Sequence, residues 1–294
     1  PGFLVKGNKY RGDMKAIPSS WGNGITLINV LPMEDYLKGV VPSEIVPSWR
    51  MDAIKAQAVA ARTYATYHRN GYRSSGYDVT DDTRTQVYRG FSAETAATNR
   101  AVSETAGEVV TYAGKPIDAL FHSSGGGFTE NSENVWGSVI PYLRGVKEES
   151  STYLMTPWKK TMTMASFTKS LENAGYKIGD LKSIKLSHLK KGEANHSSDR
   201  GISGRVKSVV FVGKKGRATV SGERLQRLYG LDSTLFDISA KGKELTITGY
   251  GYGHGLGLSQ WGAEAMAEKH GDGKNYYKTI LSHYFTGTKI EKIY

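Results

Sequence analysis

The stretch Trp49-Arg50-Met51-Asp52-Ala53-Ile54-Lys55-Ala56-Gln57-Ala58-Val59-Ala60-Ala61-Arg62-Thr63-Tyr64-Ala65 decides how the chain is read. Its apolar residues at Met51, Ile54, Ala58, Ala61 and Ala65 stand three and four positions apart, the spacing of one buried helical stripe. Ser48 is placed to cap the N-terminus, Asp52 sits where the helix dipole favours an anion, and Gly71 follows the expected end. Lys55, Arg62 and Arg69 recur every seven residues and share a face distinct from that stripe. Small alanines let neighbours approach from several sides, which pushes long polar side chains towards a groove; an ordinary solvated basic face is the plainer reading of the same pattern.

Immediately upstream lies Tyr36-Leu37-Lys38-Gly39-Val40-Val41-Pro42-Ser43-Glu44. Pro42 and Pro47 fix φ and lack N–H groups, so the segment reads as a rigid turn holding Glu44 rather than a continuing helix or strand. Val40, Val41, Ile45, Val46 and Trp49 surround that carboxylate with apolar neighbours, and an apolar environment disfavours the ionised form. A general acid needs that upward shift, which makes Glu44 the candidate catalytic residue; a solvated loop acid or a helix-capping partner is the bland alternative.

The remainder mixes strands and helices. Gly24 to Val30 fits a strand, Ala93 to Val102 a helix, and Glu108 to Tyr112 with Pro116 to Phe121 a hairpin that delivers His122, Ser123 and Ser124 to a cleft. From about Trp158 the pattern changes: a helix over Ser166 to Ala174, strands at Ile184 to Leu186, Val206 to Val212 and Arg217 to Val220, and a helix beginning near Ser221. Gly192 to Gly204 has the composition of an exposed loop. The expected fold is α+β, two lobes of mixed strands and helices around an elongated substrate groove. Residues 1–157 form the first part of a catalytic lobe with the acid loop and the alanine-rich helix, 158–242 a second lobe, and 243–294 the return to the catalytic lobe with a glycine-rich motif.

That motif is Gly249-Tyr250-Gly251-Tyr252-Gly253-His254-Gly255-Leu256-Gly257-Leu258-Ser259-Gln260-Trp261-Gly262. Its glycines permit positive φ and close backbone approach, and Ser259 is placed to cap a following helix. The block matches neither the phosphate-binding loop nor the dinucleotide fingerprint. His254 among glycines is as readily a structural hydrogen-bonder as a ligand-facing group. Asp78, Asp81 and Asp82 read as turn-forming acids, although a hydrolytic glycosidase would need a second carboxylate. Ser123 and Ser124 lack the nucleophile-elbow pattern and a third triad member.

Composition bounds the choices further. With 294 residues, 38% hydrophobic and 23% charged, the chain can bury a sizeable core. The formal net charge of +11 attracts anionic partners over long range; no nucleic-acid motif accompanies the basic residues, which are scattered along the chain. The absence of cysteine excludes disulfides, thiol nucleophiles and thiolate metal sites. The seven histidines form no metal-binding spacing, so no metal and no cofactor are expected. No segment approaches the length of a membrane span, and the opening residues Pro1 to Lys6 are not a signal peptide.

Taken in order, Tyr36 to Glu44, Ala53 to Tyr64, Gln86-Val87-Tyr88, Phe121 to Trp136, Gly249 to Gly262 and His283 to Thr288 resemble the stage II sporulation protein D family across nearly the whole chain. The resemblance implies a peptidoglycan lytic transglycosylase of cell-wall remodelling during engulfment, or else a noncatalytic glycan-binding enhancer of a cell-wall amidase. It puts the catalytic acid on Glu44 and substrate-binding groups on Lys55, Gln57, Arg62, Gln86, Ser124, His254, Ser259 and Gln260. Zinc, held partly by cysteines in some members, is doubtful where only His122 remains. The implied partners are glycan strands and a cell-wall amidase, with no nucleic acid. The implied location is extracytoplasmic, with any membrane attachment through an N-terminal anchor that is not in this sequence.

Overall fold

The computed structural model describes residues 2–20, 22–149, 153, 155–271, 273 and 275–294; Pro1, in the opening segment, lies outside the described residues. The fold is α+β and divides into two units, one comprising Pro1–Leu120, Met266–His283 and Gly287–Tyr294, the other Phe121–Ala265 and Tyr284–Thr286. The sequence pattern suggests breaks after 157 and 242; the structural breaks fall at Leu120/Phe121 and Ala265/Met266.

In the first unit, helices α1 (Met33–Glu44), α2 (Met51–Tyr67) and α3 (Ala96–Glu104) surround one hydrophobic cluster. Leu37, Val40 and Val41 of α1 meet Ile54, Ala58 and Ala61 of α2 and Ala101 and Val102 of α3. Twelve of the 17 residues of α2 are buried, so this helix is central rather than half-exposed. Its small side chains are what permit α1, α3 and the strand Glu108–Tyr112 to approach it. That strand is the middle of a three-stranded sheet, between Lys115–Pro116 and Lys289–Lys292. The turn of its hairpin is the pair Ala113-Gly114, both at positive φ, as a two-residue turn requires. Asp13–Pro18 and Ile25–Val30 form a separate antiparallel pair.

Two local expectations are corrected. The segment ending in Glu44 is helical, with Pro42 inside α1. Proline removes one donor, the one that would have reached the Lys38 carbonyl, at a half-exposed point in the last turn. Around it, Ser43 Oγ donates to Gly39 O at 2.8 Å, and Ile45 N closes onto Val41 O at 3.1 Å. Ser48 does not cap α2 either: the N-cap is Arg50, because a turn from Val46 to Trp49 leaves Ser48 two residues short of the helix. Asp52, in the first turn as expected, accepts the N–H groups of Gly273 and Tyr277 at 2.8 and 3.0 Å.

In the second unit, Trp158–Thr163 and Phe236–Lys241 flank Glu244–Gly249, and Leu181–Lys185 and Arg217–Ser221 flank Ser208–Gly213. Helices Met164–Asn173 and Gly222–Tyr229 are capped by Thr163 and Ser221, whose hydroxyls accept the N–H groups of Ser166 and Arg224. Phe167, Phe211, Val220, Phe236 and Ile247 belong to one core, in which the Phe167 and Tyr229 rings stack at 4.6 Å. Glu244–Gly249 is hydrogen-bonded on both sides within this sheet, which is why the chain does not leave the second unit at residue 243. The loop Gly192 to Gly204 is not wholly exposed: Asn195, Arg200 and Ser203 are buried. Arg200 donates to the carbonyls of Ser187, Gly204 and Phe236 and pairs with Asp237, satisfying groups a solvated loop would leave to water.

Gly39 lies where α1 meets Tyr88, and a Cβ there would stand 2.5 Å from the Tyr88 ring. Glycine to alanine within a helix ordinarily adds about 1 kcal/mol of stability. Here the overlap dominates, and Gly39→Ala is expected to lower the urea midpoint, with a loss of about 1–3 kcal/mol; an unchanged or raised midpoint would show that Tyr88 gives way.

Candidate functional site

Glu44 is the last residue of α1, half-buried, and its Oε1 accepts the Val87 N–H at 2.7 Å. Burial raises its carboxyl above the ordinary value of 4.5, against the opposing pull of that hydrogen bond and of the Arg89 charge. The C-terminal end of a helix, with its partial negative charge, also disfavours an anion. Tyr36 and Tyr64 lie close enough to feel the carboxylate, and burial pushes the Tyr64 hydroxyl up to about 12. Both phenols are therefore protonated at neutral pH. The segment that presents Val87 is pinned on either side: Gln86 accepts from Tyr36 Oη at 3.1 Å and donates to Ala61 O at 3.2 Å, while Tyr88 Oη donates to Asn29 Oδ1 at 2.6 Å. Arg89 N reaches Gly39 O at 3.2 Å. Three separate stretches of sequence, 36–44, 53–64 and 86–88, thus converge on one carboxylate.

The polar residues of α2 have different fates. Lys55 pairs with Glu104 at 2.5 Å and keeps a side chain 14% exposed, with its ammonium 5.7 Å above the Tyr277 ring. Gln57 is fully buried. Arg62 is fully buried as well: Nε and Nη2 grip both Glu34 oxygens at 2.8 Å, and the remaining N–H groups reach Val102 O, Glu108 O and Thr105 Oγ1. A guanidinium has five N–H donors, and all are engaged by protein. Arg62 therefore joins α1, α3 and the start of the Glu108–Tyr112 strand, in place of the groove-facing position its seven-residue spacing suggested. Arg69 lies beyond the end of α2 and is exposed. The charge of Asp82 is met by Arg84, which holds its carboxyl down at about 2 and matches its reading as a turn acid.

A second group of motif residues meets inside the other unit. Phe121–His122 runs parallel to Leu258–Ser259, and Ser124 and Tyr252 exchange backbone hydrogen bonds at 3.1 and 2.9 Å. His254 Nδ1 accepts the Leu256 N–H at 3.0 Å, so its Nε2, 3.1 Å from Phe121 O, carries the proton and donates. His122 Nδ1 stands 3.0 Å from Leu256 O, and the two rings lie 5.3 Å apart. Burial, together with the neighbouring His254 ring and the Arg205 charge, holds His122 well below the usual histidine range, hence neutral. Ser259 Oγ accepts the N–H groups of Gly125 and Gly262 at 3.2 Å, and Gln260, nearly buried, opens the helix Gln260–His270.

Sequence reasoning missed the charges at the centre of this group. Glu148 is buried, its Oε2 accepting Gly127 N–H at 2.7 Å, and burial raises its carboxyl. Arg205, also buried, donates to Gly125 O at 3.3 Å; burial lowers it to about 10 while Glu130 and Glu148 oppose that shift. Arg205 packs against Gly255, which sits at φ +82° and where any Cβ would overlap the guanidinium. The glycine is thus required by an arginine 50 positions earlier in the chain, a pairing that no local signal announces. Among the described residues, no three His, Asp or Glu side chains gather as a metal-binding group, and no helix is long and apolar enough to cross a membrane.

The fold and these two groups define an α+β protein that holds a half-buried carboxyl of raised pKa in one unit and a paired glycine-rich backbone in the other. A family model described as stage II sporulation protein matches residues 22–112, inside the first unit, and a domain of unknown function matches 125–257, inside the second. Stage II sporulation protein D of Bacillus subtilis is 34% identical over 282 residues, covering 89% of this chain and 75% of that protein. The amidase enhancer of the same organism is 33% identical over 294 residues, covering 86% of this chain and 40% of that longer protein. An uncharacterized protein of Brachyspira hyodysenteriae is 34% identical over 291 residues, covering 98% and 74%. The chain belongs to the stage II sporulation protein D and amidase enhancer family.

Removing the Arg62 guanidinium takes the cation from a half-buried Glu34, which keeps only the Gly107 N–H and the Tyr294 hydroxyl, and takes a donor from Val102 O, Glu108 O and Thr105 Oγ1. Arg62→Ala is expected to lose about 3–5 kcal/mol in urea unfolding, and Arg62→Lys most of the same amount, since an ammonium cannot span these partners. A near-neutral Arg62→Ala would mean that the cross-link between α1 and α3 is dispensable.

Proposed function

We propose that this chain acts on the glycan strands of bacterial peptidoglycan as a lytic transglycosylase, with Glu44 as its single proton shuttle. The observation that supports the reading is the raised, half-buried carboxyl of Glu44 at the end of α1. In its protonated form Glu44 donates to the glycosidic oxygen between N-acetylmuramic acid and N-acetylglucosamine as the C1–O bond breaks and oxocarbenium character develops at C1. The carboxylate so formed takes the proton of the muramyl C6 hydroxyl, whose oxygen bonds to C1 and closes a 1,6-anhydro ring. No water is consumed, so one carboxyl group suffices where a hydrolase uses two. The charge of Arg89, which acts on Glu44, favours the carboxylate at mid-reaction, while burial restores the acid afterwards.

On this reading Lys55, which retains some exposure beside Glu104, is the member of α2 proposed to meet lactyl carboxylates, while Arg62, Gln57 and Gln86 act from inside by fixing α2 and the Val87 segment. Ser124, His254, Ser259 and Gln260 are proposed to shape a saccharide-binding backbone in the second unit. The proposed setting is extracytoplasmic cell-wall remodelling of the kind that accompanies engulfment in sporulation, with attachment through an N-terminal anchor outside this sequence. A second reading has its own support: the similarity to a protein named amidase enhancer favours a noncatalytic glycan-binding partner of an amidase.

Incubation with purified glycan strands, with and without stem peptides, is expected to yield 1,6-anhydromuramyl ends by mass spectrometry, and Glu44→Gln to lower that rate by at least about a hundredfold. Full-rate cleavage by the variant would remove Glu44 from the mechanism. Absence of new ends in wild type, together with acceleration of an added amidase, would establish the enhancer. Activity should fall as pH rises through the raised value of Glu44, because the donor must be protonated.

Stability gives an independent check of the same group. A carboxyl whose value is raised in the fold destabilises the folded protein once it ionises; the deficit is absent below the unfolded value near 4.5 and grows as pH rises through the folded one. Glu44→Gln is therefore expected to be more stable than wild type at pH 7–8 and to lose that advantage below about pH 4. A pH-independent difference in urea midpoints would show that Glu44 is not perturbed.

A further inference from the structure

Residues 158–247, the segment whose core runs from Trp158 to Ile247, hold 18 Lys and Arg against eight Asp and Glu. Ten of the eleven units of net positive charge therefore reside in this segment, and the remainder of the chain is close to neutral. The basic residues are concentrated, contrary to their scattered look along the whole sequence. They belong to the part of the chain that matches a domain of unknown function.

The sheet of Leu181–Lys185, Ser208–Gly213 and Arg217–Ser221 turns Val209, Phe211 and Val220 into the core. Alternation along a strand puts the intervening residues on the other face. The register sets Lys185, Val210 and Thr219 across one row of that face and Ser183, Val212 and Arg217 across the next. Lys185, Ser183, Thr219 and Arg217 are exposed, and Val210 and Val212 half-buried. At one end of the sheet, the turn Lys214-Lys215-Gly216 is tied to the preceding loop by Lys215 N to Ile178 O at 2.8 Å, which gathers Lys177 and Lys215 beside Arg217. Lys177, Lys185 and Arg217 form no ion pair with a carboxylate among the described residues, while Lys215 lies near enough to Asp180, the partner of Lys214, to act on its carboxyl. The Lys185 edge borders a depression of about 440 Å³ that also takes in Ser187, Ser198, Asp199, Ser208 and Val210.

We infer that this sheet face is a docking surface for a linear anionic polysaccharide bearing carboxylates, a holding site that does not depend on the chemistry at Glu44. Cations spaced along the sheet face and its adjoining turn suit charges repeated along a polymer, where each lysine contact is a point charge rather than a bidentate grip. The half-buried valines give an apolar strip for the C–H faces of sugar rings, and Ser183, Thr219 and Ser208 supply hydroxyls that donate to or accept from sugar oxygens. A single-stranded nucleic acid would use exposed aromatic rings for stacking, and this face has none. Such a surface would keep the protein on a charged polymer between encounters with its target.

The test is binding of the whole chain to polygalacturonate, with neutral dextran as control, by affinity electrophoresis and calorimetry. Polygalacturonate is expected to bind at 50 mM salt, to weaken about tenfold or more by 200 mM, and dextran not to bind. Lys185→Glu with Arg217→Glu should weaken binding at least about tenfold while leaving the circular dichroism and the release of 1,6-anhydromuramyl ends from short glycan oligomers unchanged. Lys177→Glu with Lys215→Glu gives the same reading from the turn, so misfolding of one pair cannot decide the result. Undiminished binding by both folded variants overturns the inference, as does tighter binding to single-stranded DNA or to anionic lipid vesicles than to polygalacturonate. A failure of Glu44 chemistry with polygalacturonate binding intact would leave this surface standing.

Discussion

The first unit depends on one buried ion pair. Arg62 sits in the middle of an alanine-rich helix, and its guanidinium is bound by Glu34 from α1, Val102 and Thr105 at the end of α3, and Glu108 at the start of a strand. An unpartnered guanidinium in such surroundings would cost several kcal/mol, so each partner has to arrive for the unit to close. The alanines make the arrangement possible, since larger side chains on α2 would hold the neighbouring helices away from the arginine. Glu34 remains a quarter exposed, which softens the desolvation of the pair.

From this frame follows the state of Glu44. It lies at the far end of the same α1 that Glu34 ties down near its start, and the Val87 N–H approaches from a segment anchored by Gln86 to the body of α2. Burial and the helix end raise the carboxyl, against the opposing Val87 hydrogen bond and Arg89 charge. The second unit solves a different problem. There, buried Glu130, Arg205 and Glu148 are packed among glycine backbones, and the two histidines bond to backbone carbonyls and amides. The glycines admit charged groups that any Cβ would exclude, as Gly255 does for Arg205.

Much of the fold was legible because its signals are local. The period of Met51, Ile54, Ala58, Ala61 and Ala65, the helix beginning near Ser221 and the hairpin after Glu108 to Tyr112 all report on neighbours within a few residues. Local signals also misled. Pro42 argues against a helix when read alone, yet α1 continues through it because the lost hydrogen bond falls in the last turn. The composition of Gly192 to Gly204 says loop, and it is a loop, but the buried contacts of Arg200 were invisible without the carbonyls it meets.

By itself, the sequence determined the helix α2 and its buried stripe, the mixed α and β character, the absence of any thiol chemistry, and the candidacy of Glu44 through its apolar neighbours. Only the tertiary structure decided what the polar residues of α2 do, because helical spacing states which face a side chain occupies and says nothing of what covers that face. Arg62 finds Glu34 28 positions away, Glu44 finds Val87 43 positions away, and Gly125 finds Ser259 134 positions away. Desolvation and hydrogen bonding, which set whether a charge is structural or reactive, are properties of those distant partners, and they come into being only when the chain has closed around them.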